Sequence, residues 1–164
     1  MKDIKDIGLI PLSNFGQVNS DHAIFRCAQP LFPYQYEWLK KVLGIDMVVN
    51  LRSEKDVDSR LGIPAGLSTV TISVPDHHAP TEKQALDFIK FIRNQKGSIV
   101  IHCEHGHGRT STFSVLAKIA LGMTLDEAIE DEHVRFHYEF RHKEQEEFLR
   151  NLDLTSVNTE NCTS

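Results

Sequence analysis

Ile99-Val100-Ile101-His102-Cys103-Glu104-His105-Gly106-His107-Gly108-Arg109-Thr110 is the stretch from which the remainder of this 164-residue sequence can be read. Its β-branched run predicts a buried strand over Ile99 to His102, and the wholly helical pattern after Arg109 predicts a helix opening beyond the loop. The strand thus delivers Cys103 to a glycine-containing turn at a helix N-terminus, and Cys103 and Arg109 bracket five residues. A chain that turns back on itself there points successive backbone N–H groups into one concavity, which suits the oxygens of a phosphate. Gly106 and Gly108 permit the tight path, while Glu104, His105 and His107 complete the cradle. Arg109 can hold two phosphate oxygens at once and neutralise charge on a transferring group. The same field favours thiolate over thiol at Cys103 and makes it a nucleophile. Thr110 is placed to hydrogen-bond that thiolate as it departs in a hydrolysis step, and His102 to orient the loop from behind.

On either side of the loop, short apolar or β-branched runs predict strands at His22 to Cys27, Asp46 to Leu51 and Leu67 to Val74. Between them lie helical patterns at Tyr34 to Leu43, closed by Gly44, and at Thr81 to Gln95. Ser111 to Leu121, Thr124 to Glu132 and Tyr138 to Leu152 continue as helices, and Thr81 with Gln84 and Thr124 with Glu127 fit capping boxes. This order implies an α/β three-layer sandwich, with a small, largely parallel, twisted sheet covered by helices on both faces. One domain spans residues 1–164, with its core from about residue 22 to 152, and Thr155 to Ser164 reads as a polar frayed tail. In such sheets ligands bind where strands end and helices begin.

Phosphate ester cleavage needs an acid for the departing oxygen, and Val74-Pro75-Asp76-His77-His78-Ala79-Pro80-Thr81 supplies Asp76 in a Pro-flanked loop after a strand. Asp76 and Cys103 are 27 residues apart, room for one crossover helix that brings two parallel strand ends to the same edge. Five of the nine histidines (His77, His78, His102, His105 and His107) fall in these two segments. Eighteen basic against 23 acidic residues give a net charge of -5, so no basic field for nucleic acid is present. Three cysteines are too few for a disulfide scaffold, no apolar run is long enough to span a bilayer, and the N-terminus carries no secretion signal, so a cytoplasmic location is expected. Cys103, His105 and His107 could be read as metal ligands, but no second ligand pair at metal-site spacing occurs, and neither metal nor cofactor is expected.

The run His102-Cys103 through Arg109-Thr110 resembles the signature of the cysteine-based protein tyrosine phosphatase superfamily. More narrowly, the sequence is similar to the bacterial phosphatase-like inositol polyphosphatases, the cysteine phytases. That similarity rests on Glu104 after the nucleophile, on Asp76-His77 with Pro80-Thr81, on Phe25-Arg26 followed by Ala28-Gln29-Pro30, and on Asn50-Leu51-Arg52-Ser53-Glu54. The resemblance implies a protein tyrosine phosphatase-like fold, with Cys103 as nucleophile, Arg109 as transition-state clamp and Asp76 as general acid. It further implies that His77, Arg26 and Arg52 contact phosphates around the scissile one. His105, His107 and Asn50 depart from the family pattern, and the chain is shorter than the usual phytase.

The expected activity is a phosphomonoesterase acting through a phosphocysteine on an inositol polyphosphate; the alternative is a protein tyrosine or dual-specificity phosphatase acting on a phosphoprotein. The latter would want an aromatic wall, for which Phe32, Tyr34, Tyr36 and Trp38 are candidates, although their helical spacing also suits an ordinary core. A module that binds phosphate without turnover is disfavoured by the presence together of Cys103, Arg109, Thr110 and Asp76. The basic stretch His133, Arg135, His137, Arg141 and His142 reads as a solvated face or an extension of a polyanion site. Cys27 and Cys162 have no readable partner.

Overall fold

A computed structural model describes residues 8–54, 58–137 and 143–158. In chain order it contains β1 (Gly16–Gln17), β2 (Ile24–Cys27), α1 (Pro33–Lys41), β3 (Met47–Arg52), a single 3-10 turn (Ser59–Leu61) and β4 (Ser68–Val74). These are followed by α2 (Glu82–Asn94), β5 (Ile99–His102), α3 (Gly108–Ala120), α4 (Leu125–Phe136), α5 (Lys143–Asn151) and α6 (Thr155–Asn158). The strands form one sheet in the order β1-β2-β5-β3-β4. β2, β5, β3 and β4 run parallel, and β1 pairs antiparallel with β2.

Strand alternation decides what covers each face, because successive side chains point to opposite sides. Ile24, Val49, Leu51, Ile99 and Ile101 face a core completed by α2, α3, α4 and α5. Phe25, Cys27, Val48 and Val100 face a second core with Tyr36 and Leu39 of α1. The expected three layers are therefore present, with a mostly parallel sheet between helices. Both capping boxes form: the Gln84 N–H donates to Thr81 Oγ1 at 3.1 Å, and the Thr124 N–H donates to Glu127 Oε2 at 2.8 Å.

Register places the strand ends level. Cys27 and Asn50 both align with His102, and Arg52 aligns with Val74. The segments leaving β2, β3, β4 and β5 consequently emerge at one sheet edge, and β3 lies between the strands that carry Asp76 and Cys103.

Three boundaries differ from expectation. The short β1 and the buried Leu12 and Val18 extend the packed structure before residue 22. α4 continues to Phe136, and α5 begins at Lys143 within the span expected from Tyr138, whose first five residues lie outside the described ones. Thr155 to Asn158 is a helical turn whose Val157 is fully buried, so this part of the expected frayed tail packs, because one apolar residue completes the core of α2 and α3. Residues 159–164, including Cys162, lie outside the described ones.

Phe113 of α3 is fully buried and stacks edge-on against Phe88 of α2 at 4.9 Å between ring centroids. Phe113→Ala should cost ~3–5 kcal/mol through the cavity it leaves. Val134→Ala, at an exposed position of α4, should change stability by less than ~0.5 kcal/mol. Urea unfolding of both variants measures the contrast, and equal effects would contradict the assignment of the core.

Candidate active site

The loop from Cys103 to Gly108 can present its N–H groups to an anion only if its carbonyls turn away, and each of them has a neighbour on the outer side. His102 Nδ1 lies 3.2 Å from the Cys103 carbonyl, and the Gln29 N–H donates to the Glu104 carbonyl at 3.0 Å. Asn14 Nδ2 donates to His105 at 2.6 Å, and Arg26 Nη2 to Gly106. The Ser111 N–H donates to His107 at 2.7 Å, and Thr112 Oγ1 to Gly108 at 3.0 Å. Among the described residues, the N–H groups of Glu104, His105 and Gly106 have no hydrogen-bond acceptor. Gly106 has φ +74°, and a Cβ there would lie 2.8 Å from the Ala28 nitrogen, so both conformation and space demand glycine.

Cys103 sits at the floor of a cavity of about 630 Å³, 4% exposed, with Arg109 beside it. Arg109 is almost wholly buried, and its two Nη atoms make three hydrogen bonds to protein acceptors. Nη1 donates to Glu54 Oε2 at 2.9 Å and to the Val74 carbonyl at 3.0 Å. Nη2 donates to Glu54 Oε1 at 3.0 Å and lies 3.2 Å from Asp76 Oδ1. Burial works against the charge of Arg109, but its hydrogen bonds to Glu54 and the negative charges of Cys103, Glu54 and Asp76 more than offset it and raise its pKa. Arg52 borders the cavity and reaches Glu54 at 2.9 Å and Glu104 at 3.6 Å.

Asp76 is half exposed at the cavity rim, next to His77, which holds a left-handed backbone at φ +66°. The His77 N–H donates to Asp76 Oδ1 at 3.0 Å, and its ring Nε2 lies 3.4 Å from Asp76 Oδ2. α5 holds this loop from the side: Glu144 reaches His78 Nδ1 at 3.2 Å, and Gln145 Nε2 donates to the His78 carbonyl at 3.3 Å. His105 and His107 line the cavity, as do Asn14 and His137. Gly108 opens α3.

His102, which the sequence suggested would orient the loop from behind, is fully buried with Nε2 2.9 Å from Asp58 Oδ2. Asp58 is also reached by the hydroxyl of Tyr36 and by Gln29 Nε2. Burial pushes the Asp58 carboxyl up, yet these hydrogen bonds, that of His102 first, hold it below the usual carboxylate range. Cys27 faces the same core, where burial and the neighbouring Cys103 push its thiol up.

Two expectations are corrected. Arg26 does not contact the cavity: it is 1% exposed and points to the opposite face of the sheet, where Glu132 pairs with it, because strand alternation aims residue 26 away from the side that Phe25 and Cys27 face. The Thr110 hydroxyl does not hydrogen-bond Cys103; it is buried without a partner among the described residues. Of the aromatic candidates, Tyr36 is core, while Phe32 and Tyr34 are exposed and stack on each other. Arg135 pairs with Asp131, and Arg141 and His142 lie outside the described residues. Among the described residues no three His, Cys, Asp or Glu side chains converge as a metal-ligand set.

Sequence reasoning passed over Asn14, Asp58 and Gln145, which stand far from the cysteine loop in the chain, and met Gln29 only as part of the turn Ala28-Gln29-Pro30 without giving it a role. Glu54 had a signal, since it closes the segment Asn50 to Glu54, but nothing in a single sequence says that it faces Arg109.

The family model described as polymorphic toxin system, DSP-PTPase phosphatase, matches residues 29–122. The tyrosine-protein phosphatase cdc-14 of Caenorhabditis elegans is 34% identical over 68 residues, 42% of this chain but only 9% of that protein. The core catalytic domain of the PP-IP phosphatase SIW14 from S. cerevisiae, crystallised with citrate, superimposes with a TM-score of 0.75 at 16% identity, over 93% of each chain. TpbA of P. aeruginosa superimposes at 0.70 with 19% identity, over 93% of this chain and 98% of that one. At these identities the two structures show a shared fold, in agreement with the expected α/β architecture; no cysteine phytase is among these relatives.

The Glu54 carboxyl is held at about 2, chiefly by the hydrogen bonds from Arg109, against burial acting the other way. Because its folded pKa lies below the ordinary 4.5, its contribution to stability is complete above about pH 4.5 and is lost as pH falls through about 2. The urea midpoint of Glu54→Gln should therefore lie below that of the parent by a constant amount above pH 5, with the gap closing towards pH 2. A gap that stays constant across this range would contradict the pairing.

Proposed function

The chain belongs to the DSP-PTPase phosphatase family of polymorphic toxin systems, and from that membership we propose that it hydrolyses phosphate monoesters of inositol polyphosphates at Cys103. The observation that supports this substrate class is the cavity rim: Arg52, His77, His105, His107 and Asn14 surround the place where a phosphate would rest on Cys103 and Arg109. A ring of donors suits a substrate with several phosphates. None of the four aromatic candidates lines the cavity as a wall for a phenyl ring.

In this mechanism the substrate phosphate settles on the N–H groups of the loop and takes the Nη2 edge of Arg109 that Asp76 now holds. The Cys103 thiolate attacks phosphorus as the bond to the leaving oxygen breaks, and Asp76 gives that oxygen its proton. The resulting carboxylate then takes a proton from water as the water attacks the phosphocysteine, releasing phosphate and restoring the thiolate. Developing negative charge on the equatorial oxygens meets the backbone N–H groups and Arg109. A cytoplasmic, reducing location, which keeps Cys103 and Cys27 as thiols, is part of the same proposal.

A second reading, a dual-specificity protein phosphatase, draws on one observation. Leu31 borders the cavity, and Leu31, Phe32 and Tyr34 are 60%, 52% and 56% exposed, an apolar lip that could hold residues flanking a phosphorylated side chain. A phosphate-release panel comparing inositol hexakisphosphate with phosphotyrosine peptides separates the two. The first reading expects at least tenfold higher kcat/KM on the inositol phosphate, about 1.4 kcal/mol in the barrier; a preference for the peptides would overturn it.

Cys103→Ser should abolish turnover while substrate still binds, and retained turnover would end the covalent mechanism. Asp76→Asn should lower kcat on alkyl phosphates by ~10²–10⁴-fold and on a nitrophenyl ester far less, because that leaving group needs little protonation. Equal losses on the two substrates would exclude Asp76 as the acid.

A further inference from the structure

A peptide unit is planar and trans, so a carbonyl turned one way sends the following N–H the other way. At Gly106 this matters most, because φ +74° places it where glycine is permissive and a peptide flip meets little resistance. Something outside the loop must hold that carbonyl. Arg26 does: its Nη2 donates to the Gly106 carbonyl, and its Nη1 donates to Ser111 Oγ at 3.1 Å. One guanidinium thereby touches both the loop and the first turn of α3, the helix that carries Arg109.

The guanidinium is itself fixed. Glu132 of α4 pairs with it, fully buried, and Glu132 is also held by Lys118 Nζ at 2.6 Å and Ser114 Oγ at 2.8 Å. The ring of Phe136 lies across the guanidinium at 4.2 Å from its centroid, and Gly16 gives that ring its room, since a Cβ at residue 16 would meet it at 2.2 Å. Burying such a cluster is expensive, and apolar side chains of similar volume commonly serve stability as well or better. A strand position between Phe25 and Cys27 would ordinarily be apolar. The charge at Arg26 is explained by what it directs.

We propose that Arg26, oriented by Glu132, is a positioning residue for phosphoryl transfer, turning the Gly106 carbonyl out of the cradle so that the N–H of the same peptide unit faces the phosphate. It touches no substrate and acts through the backbone. The proposal rests on residues 103–109 being the phosphate cradle, and the two can fail separately: turnover retained in Cys103→Ser would overturn the cradle and leave the geometry of Arg26 as it is.

The test uses Arg26→Met, Arg26→Lys and Glu132→Gln in the full chain, measuring kcat and KM on a nitrophenyl phosphate, inhibition by orthovanadate, and the thermal midpoint. Removing one donor to a developing oxyanion costs ~10²–10³ in kcat. Arg26→Met should accordingly lose about 100-fold in kcat/KM, with orthovanadate inhibition weakened at least tenfold. Arg26→Lys should recover part of both, since it restores charge but cannot span Gly106, Ser111 and Glu132 together. A folded Arg26→Met protein whose kcat/KM and vanadate inhibition stay within threefold of the parent, with only its melting point lowered, would overturn the proposal. Should Arg26→Met fail to fold, Glu132→Gln decides, as it keeps the volume and loosens the guanidinium: vanadate inhibition weakened about fivefold or more supports the proposal, and unchanged inhibition overturns it.

Discussion

The backbone of residues 103–108 has to do two opposed things, pointing its N–H groups at one place while leaving none of its carbonyls to repel what binds there. Burying carbonyls without donors costs free energy, so the orientation of the loop depends on donors placed around its outside. They arrive from every side: Asn14 from the segment before β1, Gln29 from the end of β2, Arg26 from its opposite face, and Ser111 and Thr112 from the first turns of α3. Level strand ends make this possible, because the residues leaving β2 and β5 emerge side by side.

Two buried ionic groups brace the loop from opposite faces of the sheet. On the side of α1, Asp58 joins His102, Tyr36 and Gln29; on the other, Glu132 joins Arg26, Lys118 and Ser114. Each brings together residues from several elements, so loop geometry and global fold are secured by the same contacts. Lys118 shows what such placement costs: burial brings its pKa down to about 8. Arg109 belongs to neither group; Glu54 and the Val74 carbonyl fix its plane, and its remaining edge is shared with Asp76.

Much of this was legible in the chain because its signals are local. The β-branched run before Cys103, the paired caps at Thr81 and Thr124 and the glycine at 106 each state a backbone requirement within a few residues, and the structure places the corresponding elements there. Long-range partners carry no such signal. Arg26 was misplaced because a family resemblance gives a residue type and not the face of a strand, and β2 is too short for its alternation to be read with certainty. The Thr110 hydroxyl was expected on Cys103 from sequence spacing alone, whereas the first turn of α3 buries it elsewhere. Val157 packs as one apolar residue in a polar stretch, too weak a pattern to announce a helix.

Whether Cys103 carries the phosphoryl group is decided most directly by trapping it. Turnover stopped in a denaturing alkaline quench, followed by peptide mass analysis, should find one phosphoryl group on the peptide containing Cys103, and none after Cys103→Ser. A phosphoryl group on His105 or His107, or a steady state with no phosphorylated peptide while turnover continues, would contradict the account.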